Sequence, residues 1–343
     1  AENLEEIAGS NILAEPETLF TATPGVAWII EESQPTFEAG LPVQDIAGQA
    51  VTIPAPVFEQ QDYQNDGPAA LSALLRHFNK NESQYLISAA VKPDYFDPDV
   101  TFQQLAEYVR NTYPDLSCIT RINGDETRLV SLLQESLPVI IRIEVQRNLP
   151  AWKGDDLWDG RYLLLTGFNS AERTFQFIDP AKGNRQSIPF ELMSLWYAFS
   201  REYLIVFSPE QESDVLRILN EDREEASNLN NALIKFQKDA EMAPGNVLTG
   251  LNAAAVLMEK RRYEEAWNLY QSARNLGMPQ RYLLYNPAFY EAAFYTGNAD
   301  ALIAFADFTL SLNSHSEESH LWKGWGHLLR EETEAAERSF QQA

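Results

Sequence analysis

The stretch Gln60, Gln61, Asp62, Tyr63, Gln64, Asn65, Asp66, Gly67, Pro68, Ala69, Ala70, Leu71 opens the most structured part of the chain. Apolar residues follow at helical spacing (Leu71, Leu74, Leu75, Phe78) behind a residue of N-cap type, Asp66, and an early proline, Pro68. This predicts an amphipathic helix over 69–78. Further helices are expected over 101–112 and 125–135. Pro138 then ends the helical pattern, and 139–145 follows as a run rich in β-branched residues with charges at the alternate positions Arg142 and Glu144. Strands are expected there, over 162–166, over 174–178 beyond the turn-rich 167–173, over 203–207, and in the alternating stretch 116–122 that carries Cys118. Helices first and an antiparallel sheet after them make an α+β domain over 51–208. Residues 1–50 mix acidic, Pro and Gly residues with short apolar pieces and read as an arm that wraps a domain.

Beyond 208 the strand signals stop and a repeat takes over. Ala232, Ala266, Ala301 and Ala336 are 34, 35 and 35 residues apart, and each is followed four positions later by an aromatic: Phe236, Tyr270, Phe305 and Phe340. Small and large side chains on one helical face let neighbouring helices approach closely, and a period of this length marks helical-hairpin arrays. Gly324, twelve before Ala336, and Ala343, seven after it, resemble the tetratricopeptide pattern. Residues 209–343 are therefore read as an all-α, tetratricopeptide-like repeat domain, with an irregular helical bundle as the alternative.

The chain of 343 residues carries 50 acidic against 26 basic residues, a net charge of −24. Nucleic acid and anionic lipid are bound by neutralising phosphates with Lys and Arg, so this balance argues against both. The apolar run 137–145 is interrupted by Arg142 and Glu144, and no stretch of about 20 apolar residues spans a bilayer. With one cysteine, Cys118, no intrachain disulfide forms. The chain starts at Ala1, as after removal of a signal or trimming of the chain.

The stretch 60–71 resembles the active-site opening of the papain-like double-glycine (bacteriocin-processing) peptidases: a Gln, about five residues, Cys-Gly-Pro-Ala, then a helix. Asp66 stands in the Cys position. Gln60 best matches the family's oxyanion-hole Gln, with Gln61 as second choice. The family's second signature, a His opening a strand that ends in Gly and an aromatic, resembles Arg161, Tyr162, Leu163, Leu164, Leu165, Thr166, Gly167, Phe168, with Arg161 in the His position. The third, an acidic residue before Pro, is matched by Asp179 and Pro180. The resemblance covers about 51–207. It implies a papain-like fold and, together with the repeats, a bacterial protein located outside the cytoplasm or at the cell surface, the cytoplasm staying open.

The departures matter more for function. The family mechanism needs a thiolate that attacks a carbonyl and an imidazole that takes and returns a proton. A carboxylate attacks amides poorly, and a guanidinium does not deprotonate at accessible pH. The expectation is a catalytically inactive pseudo-peptidase, in which Gln60, Asp66, Arg161 and Asp179 mark degenerate catalytic positions. Asp66 and Arg161 are expected to form a salt bridge, with Asp179 on the other edge of the guanidinium. The plainer alternative has Asp66 capping its helix and Arg161 reaching to water. A displaced Cys118/His77 pair is a minor alternative, since His77 lies about three turns along the helix and Cys118 reads as a buried strand thiol.

Gln61, Trp152 and Trp158 are candidates to line a peptide groove, with Trp196 near them, although aromatic core residues are the default reading. Asp155, Asp156 and Asp159, and likewise Asp94, Asp97 and Asp99, read as solvated acidic loops, because neither set has the spacing of a calcium loop. His320 and His327 read as repeat packing. No metal or cofactor is implied. The expected function is to bind or scaffold a peptide or protein segment, the alternative being a hydrolase of peptides that works without the cysteine.

Overall fold

A computed structural model of the chain describes residues 48–343 except 55, 93, 98, 148–154 and 184. Most of the expected arm, and Trp152, lie outside the described residues, all of which belong to one compact unit, Phe37–Ala343. The order is β1 (Ala50–Thr52), α1 (Asp66–His77), α2 (Gln84–Val91), α3 (Phe102–Thr112), β2 (Ser117–Arg121), α4 (Glu126–Gln134), β3 (Val139–Gln146), β4 (Trp158–Asn169), β5 (Thr174–Ile178), β6 (Arg185–Pro189), a 3₁₀ segment (Phe190–Phe199) and β7 (Tyr203–Phe207). Helices α5 (Glu212–Leu219), α6 (Glu225–Met242), α7 (Val247–Glu259), α8 (Tyr263–Asn275), α9 (Ala288–Tyr295), α10 (Ala299–Leu312), α11 (Glu317–Leu329) and α12 (Thr333–Phe340) complete it. The first part is thus α+β and the C-terminal part helical. No described helix is long and apolar enough to cross a membrane.

The strands form one antiparallel sheet in the order β2-β7-β3-β4-β5-β6, with β1 paired to β4. Leu71 and Leu74 of α1 and Leu105 of α3 pack with Ile140, Tyr162, Leu164 and Leu204 on one face. Leu129 and Leu133 of α4, Trp196 of the 3₁₀ segment, and Val215 and Leu219 of α5 pack with Ile141, Ile143, Leu163 and Ile205 on the other. Being covered on both faces explains why β3 reads as a continuous buried run. It also brings α5, beyond residue 208, into the core of the sheet.

Local chemistry accounts for the helix starts. Thr101 caps α3 in a full capping box with Gln104, and the Asp125 side chain accepts from the backbone N–H of Arg128 to cap α4. At α1 the outcome differs from expectation. The helix begins at Asp66 rather than Ala69, and residues 67–75 are all buried, so it is a central helix rather than an amphipathic one. Gly67 allows this, because a Cβ there would lie 3.2 Å from the Tyr162 ring.

In the helical part, Ala232, Ala266, Ala301 and Ala336 fall on α6, α8, α10 and α12; all but the half-buried Ala301 are buried, as are the aromatics Phe236, Tyr270 and Phe305. The core of these helices runs on into Trp158, Tyr197 and Ala198 of the sheet part. Arg281 fixes the join. It is completely buried, donates to the carbonyl of Trp158 at 2.8 Å, and lies 3.4 Å from Asp155 and 3.8 Å from Asp159.

Candidate functional site

A cleft of about 580 Å³ opens where α1, the β3–β4 ends and the helical part meet, lined by residues that include Gln61, Gln64, Asp66, Arg142, Arg147, Asp159, Arg161, Lys182 and Tyr285. The loop ahead of α1 is positioned by α2, an element the sequence pattern did not reveal. The amide of Gln84 accepts from the N–H of Asp62 at 2.8 Å and from the Asn65 side chain at 2.9 Å, and donates to the carbonyl of Gln60 at 2.7 Å. Lys92, at the end of α2, donates to the carbonyl of Gln64 at 2.6 Å, holding that residue at φ +50°. Burial lowers the pKa of Lys92.

Within this frame Asp66 does not meet Arg161. The β4–β5 ladder ends at Leu164–Ile178, and two residues earlier the N–H of Tyr162 donates to the Asp66 carboxylate at 2.9 Å. Burial raises the Asp66 pKa; that hydrogen bond and Arg142 oppose the rise, with Arg161 the weakest influence. Among the described residues the expected Asp66–Arg161 salt bridge is therefore absent. The pleat gives the reason. Tyr162 turns its ring to α1, so its neighbour Arg161 leaves the strand on the opposite side, in register with Ile143 of the other core face. Arg161 lies 3.4 Å from Asp179, and Asp179 also accepts from the N–H of Ala181 at 2.9 Å. Asp66 caps nothing either: Asn65 occupies the N-cap, without a side-chain capping bond.

The cation that dominates the neighbourhood is Arg142, which the sequence showed only as a charge interrupting a buried strand. Its guanidinium donates to both Asp99 carboxylate oxygens through its two terminal nitrogens and lies 4.5 to 4.9 Å from the rings of Tyr162, Phe199 and Tyr285. Gly160 makes room for it, since a Cβ there would come within 2.7 Å of the Arg142 Nε. Asp99 is 8% exposed and its pKa is pushed up to about 6, burial outweighing Arg142. Asp97 is 1% exposed. The expected solvated loop of Asp94, Asp97 and Asp99 is thus corrected for the last two: Asp97 lies against the start of α11, and Asp99 pairs with Arg142 of β3. Arg147 pairs with Asp159 at 2.5 Å, and the Tyr285 hydroxyl donates to the same carboxylate.

The remaining candidates separate. Gln61 lines the cleft with its Oε1 buried and unpartnered, whereas the Gln60 amide donates to the carbonyl of Ala181 at 3.1 Å. Trp158 is no groove residue: its indole is buried between Phe199, Tyr282 and Tyr285 and donates to Glu144 at 2.8 Å. Trp196 is buried in the sheet core. Cys118 lies in the core under α1 and α3, where burial pushes its pKa up to about 12, and His77 stands at the far end of α1. The cleft lining contains neither residue.

No family model matches the chain, and no curated protein matches it. Among solved structures, the chain is similar to a protein from Bacillus anthracis described as a C39-like peptidase (12% identity, TM-score 0.37, 47% of this chain and 98% of that one). It is also similar to a double glycine motif protease from an AMS/PCAT transporter in complex with the leader peptide (20%, 0.32, 46% and 94%). A third likeness is to the peptidase domain of Streptococcus ComA, a bi-functional ABC transporter of a quorum sensing pathway (18%, 0.34, 45% and 98%).

Proposed function

We propose that this chain is a catalytically inactive, papain-like peptidase relative that binds an extended peptide segment in the cleft beside Asp66, to which its tetratricopeptide-like C-terminal array contributes Tyr285. The observation that carries the reading is the cleft lining, which offers neither thiol nor imidazole but has carboxylates, guanidiniums and amides. Amide cleavage of the papain type needs a nucleophile and a group that shuttles its proton. Asp66 is engaged by the Tyr162 N–H, and a guanidinium, as at position 161, is no proton shuttle. A cleft of this size with Gln61, Gln64 and Gln146 on its walls suits backbone hydrogen bonding to an extended chain.

The test is to incubate the full chain with a fluorescent peptide library, following anisotropy for binding and mass spectrometry for cleavage. Binding without cleavage is expected, and Gln146→Trp, which fills the cleft mouth from an exposed position, should weaken it at least tenfold. Cleavage that disappears in Asp66→Asn would overturn the inactive reading. Binding untouched by Gln146→Trp would remove the cleft as the site.

A further inference from the structure

Next to the cleft, where Tyr63 of its lining packs against Phe96 at 6.0 Å, the loop between α2 and α3 docks on the turn between α10 and α11. Asn313 donates to the carbonyl of Phe96 at 3.1 Å, the Phe96 and His315 rings are 4.8 Å apart, and His315 Nδ1 lies 3.1 Å from Asp94. The next residue along this seam is Asp97, and it faces Glu317 and Glu318 in the first turn of α11. One carboxylate oxygen from each of the three lies within 4.8 Å of the other two.

Proximity of acidic groups alone would mean little in so acidic a chain. The separate observation is the state of Asp97. It is 1% exposed, and both its carboxylate oxygens are buried without a hydrogen-bond partner. Lys92 does not satisfy them, because its ammonium donates to the backbone carbonyls of Gln64 and Asp97 instead. Asp99, the next carboxylate, is taken by Arg142. A buried carboxylate that accepts no hydrogen bond and feels Lys92 only through space is costly, and two glutamates beside it add to the cost.

We propose that Asp97, Glu317 and Glu318 bind a divalent cation of the calcium type, which ties the α2–α3 loop to the helical part. The donors are all carboxylate oxygens, the set preferred by hard cations and unsuited to zinc or copper. Oxygens across a calcium ion, at about 2.3–2.6 Å each, stand about 5 Å apart, so the spread fits with small movements. Magnesium needs near-octahedral geometry at about 2.0–2.1 Å and keeps most of its water, and it should bind more weakly. Burial and the two glutamates raise the Asp97 pKa, which reflects the cost of holding its charge there.

The experiment strips the full chain with a chelator, then titrates CaCl₂ by calorimetry and follows the melting temperature, with MgCl₂ in parallel. One calcium per chain, a melting temperature that climbs with calcium, and weaker magnesium binding are expected. Asp97→Asn and Glu318→Gln should each weaken calcium at least tenfold, while Glu264→Gln, at an exposed acid elsewhere, should not. Asp97→Asn removes the unpaired buried charge, so it should fold and melt no lower than the stripped parent. Absence of stoichiometric calcium binding, or equal binding by Asp97→Asn and the parent, would overturn the proposal.

Discussion

Replacing Arg142 with Met tests how the centre of the molecule is held. Met keeps most of the aliphatic volume among Tyr162, Phe199 and Tyr285 but leaves Asp99 buried without its partner. Removing one member of a buried ion pair costs about 3–5 kcal/mol, and the lost cation–ring contacts add about 0.5–2 kcal/mol. Against a typical domain stability of about 5–15 kcal/mol, that is a large fraction. The sign of the pH dependence follows from Asp99, whose folded-state pKa stands at about 6 with Arg142 present. Without Arg142 it moves higher, while the unfolded value does not change. A carboxyl raised on folding supports the fold below its unfolded pKa, and that support fades as pH rises through the folded value. Parent and Arg142→Met should therefore differ least near about pH 5, where Asp99 is protonated in both, and most near about pH 8. Urea unfolding followed by tryptophan fluorescence at both pH values measures this, and adding Asp99→Asn should restore more than half the loss at the higher pH. An Arg142→Met protein as stable as the parent, or one with the same deficit at both pH values, would refute the reasoning.

Cys118, 7% exposed with its pKa pushed up to about 12, should stay unlabelled by a thiol reagent at about pH 8 in the native chain and react fully in urea; rapid native labelling would contradict its placement in the core. At Gly167 a Cβ would stand 2.3 Å from the carbonyl oxygen of Val51, where β1 joins β4. Gly167→Ala should destabilise by about 1–3 kcal/mol and speed amide hydrogen exchange in Ala50–Thr52, and unchanged exchange there would speak against the pairing.

Much of the element order was legible in the residues themselves. The change of period at Pro138, the turn signals around β5 and the capping residues Thr101 and Asp125 act within a few positions of where they sit, so local sequence reports them. Short elements were missed for local reasons: β6 is mostly polar, and in α2 the apolar Tyr85 and Leu86 are exposed while Gln84 is buried to organise a loop about 20 residues away, so the apolar period does not report the buried face. The residue types at positions 66 and 161, Asp and Arg, were equally plain from the chain.

Only the tertiary structure decided which charges meet. Arg142 finds Asp99 across 43 positions, Asp66 takes a strand N–H 96 positions on, and Arg281 reaches back to Trp158. Strand alternation sends Arg161 away from Asp66, and docking of the helical part buries Asp97 against Glu317 and Glu318. Local periodicity tells which side of an element is apolar. A buried ion's partner depends on register and docking between distant segments, which no local pattern encodes.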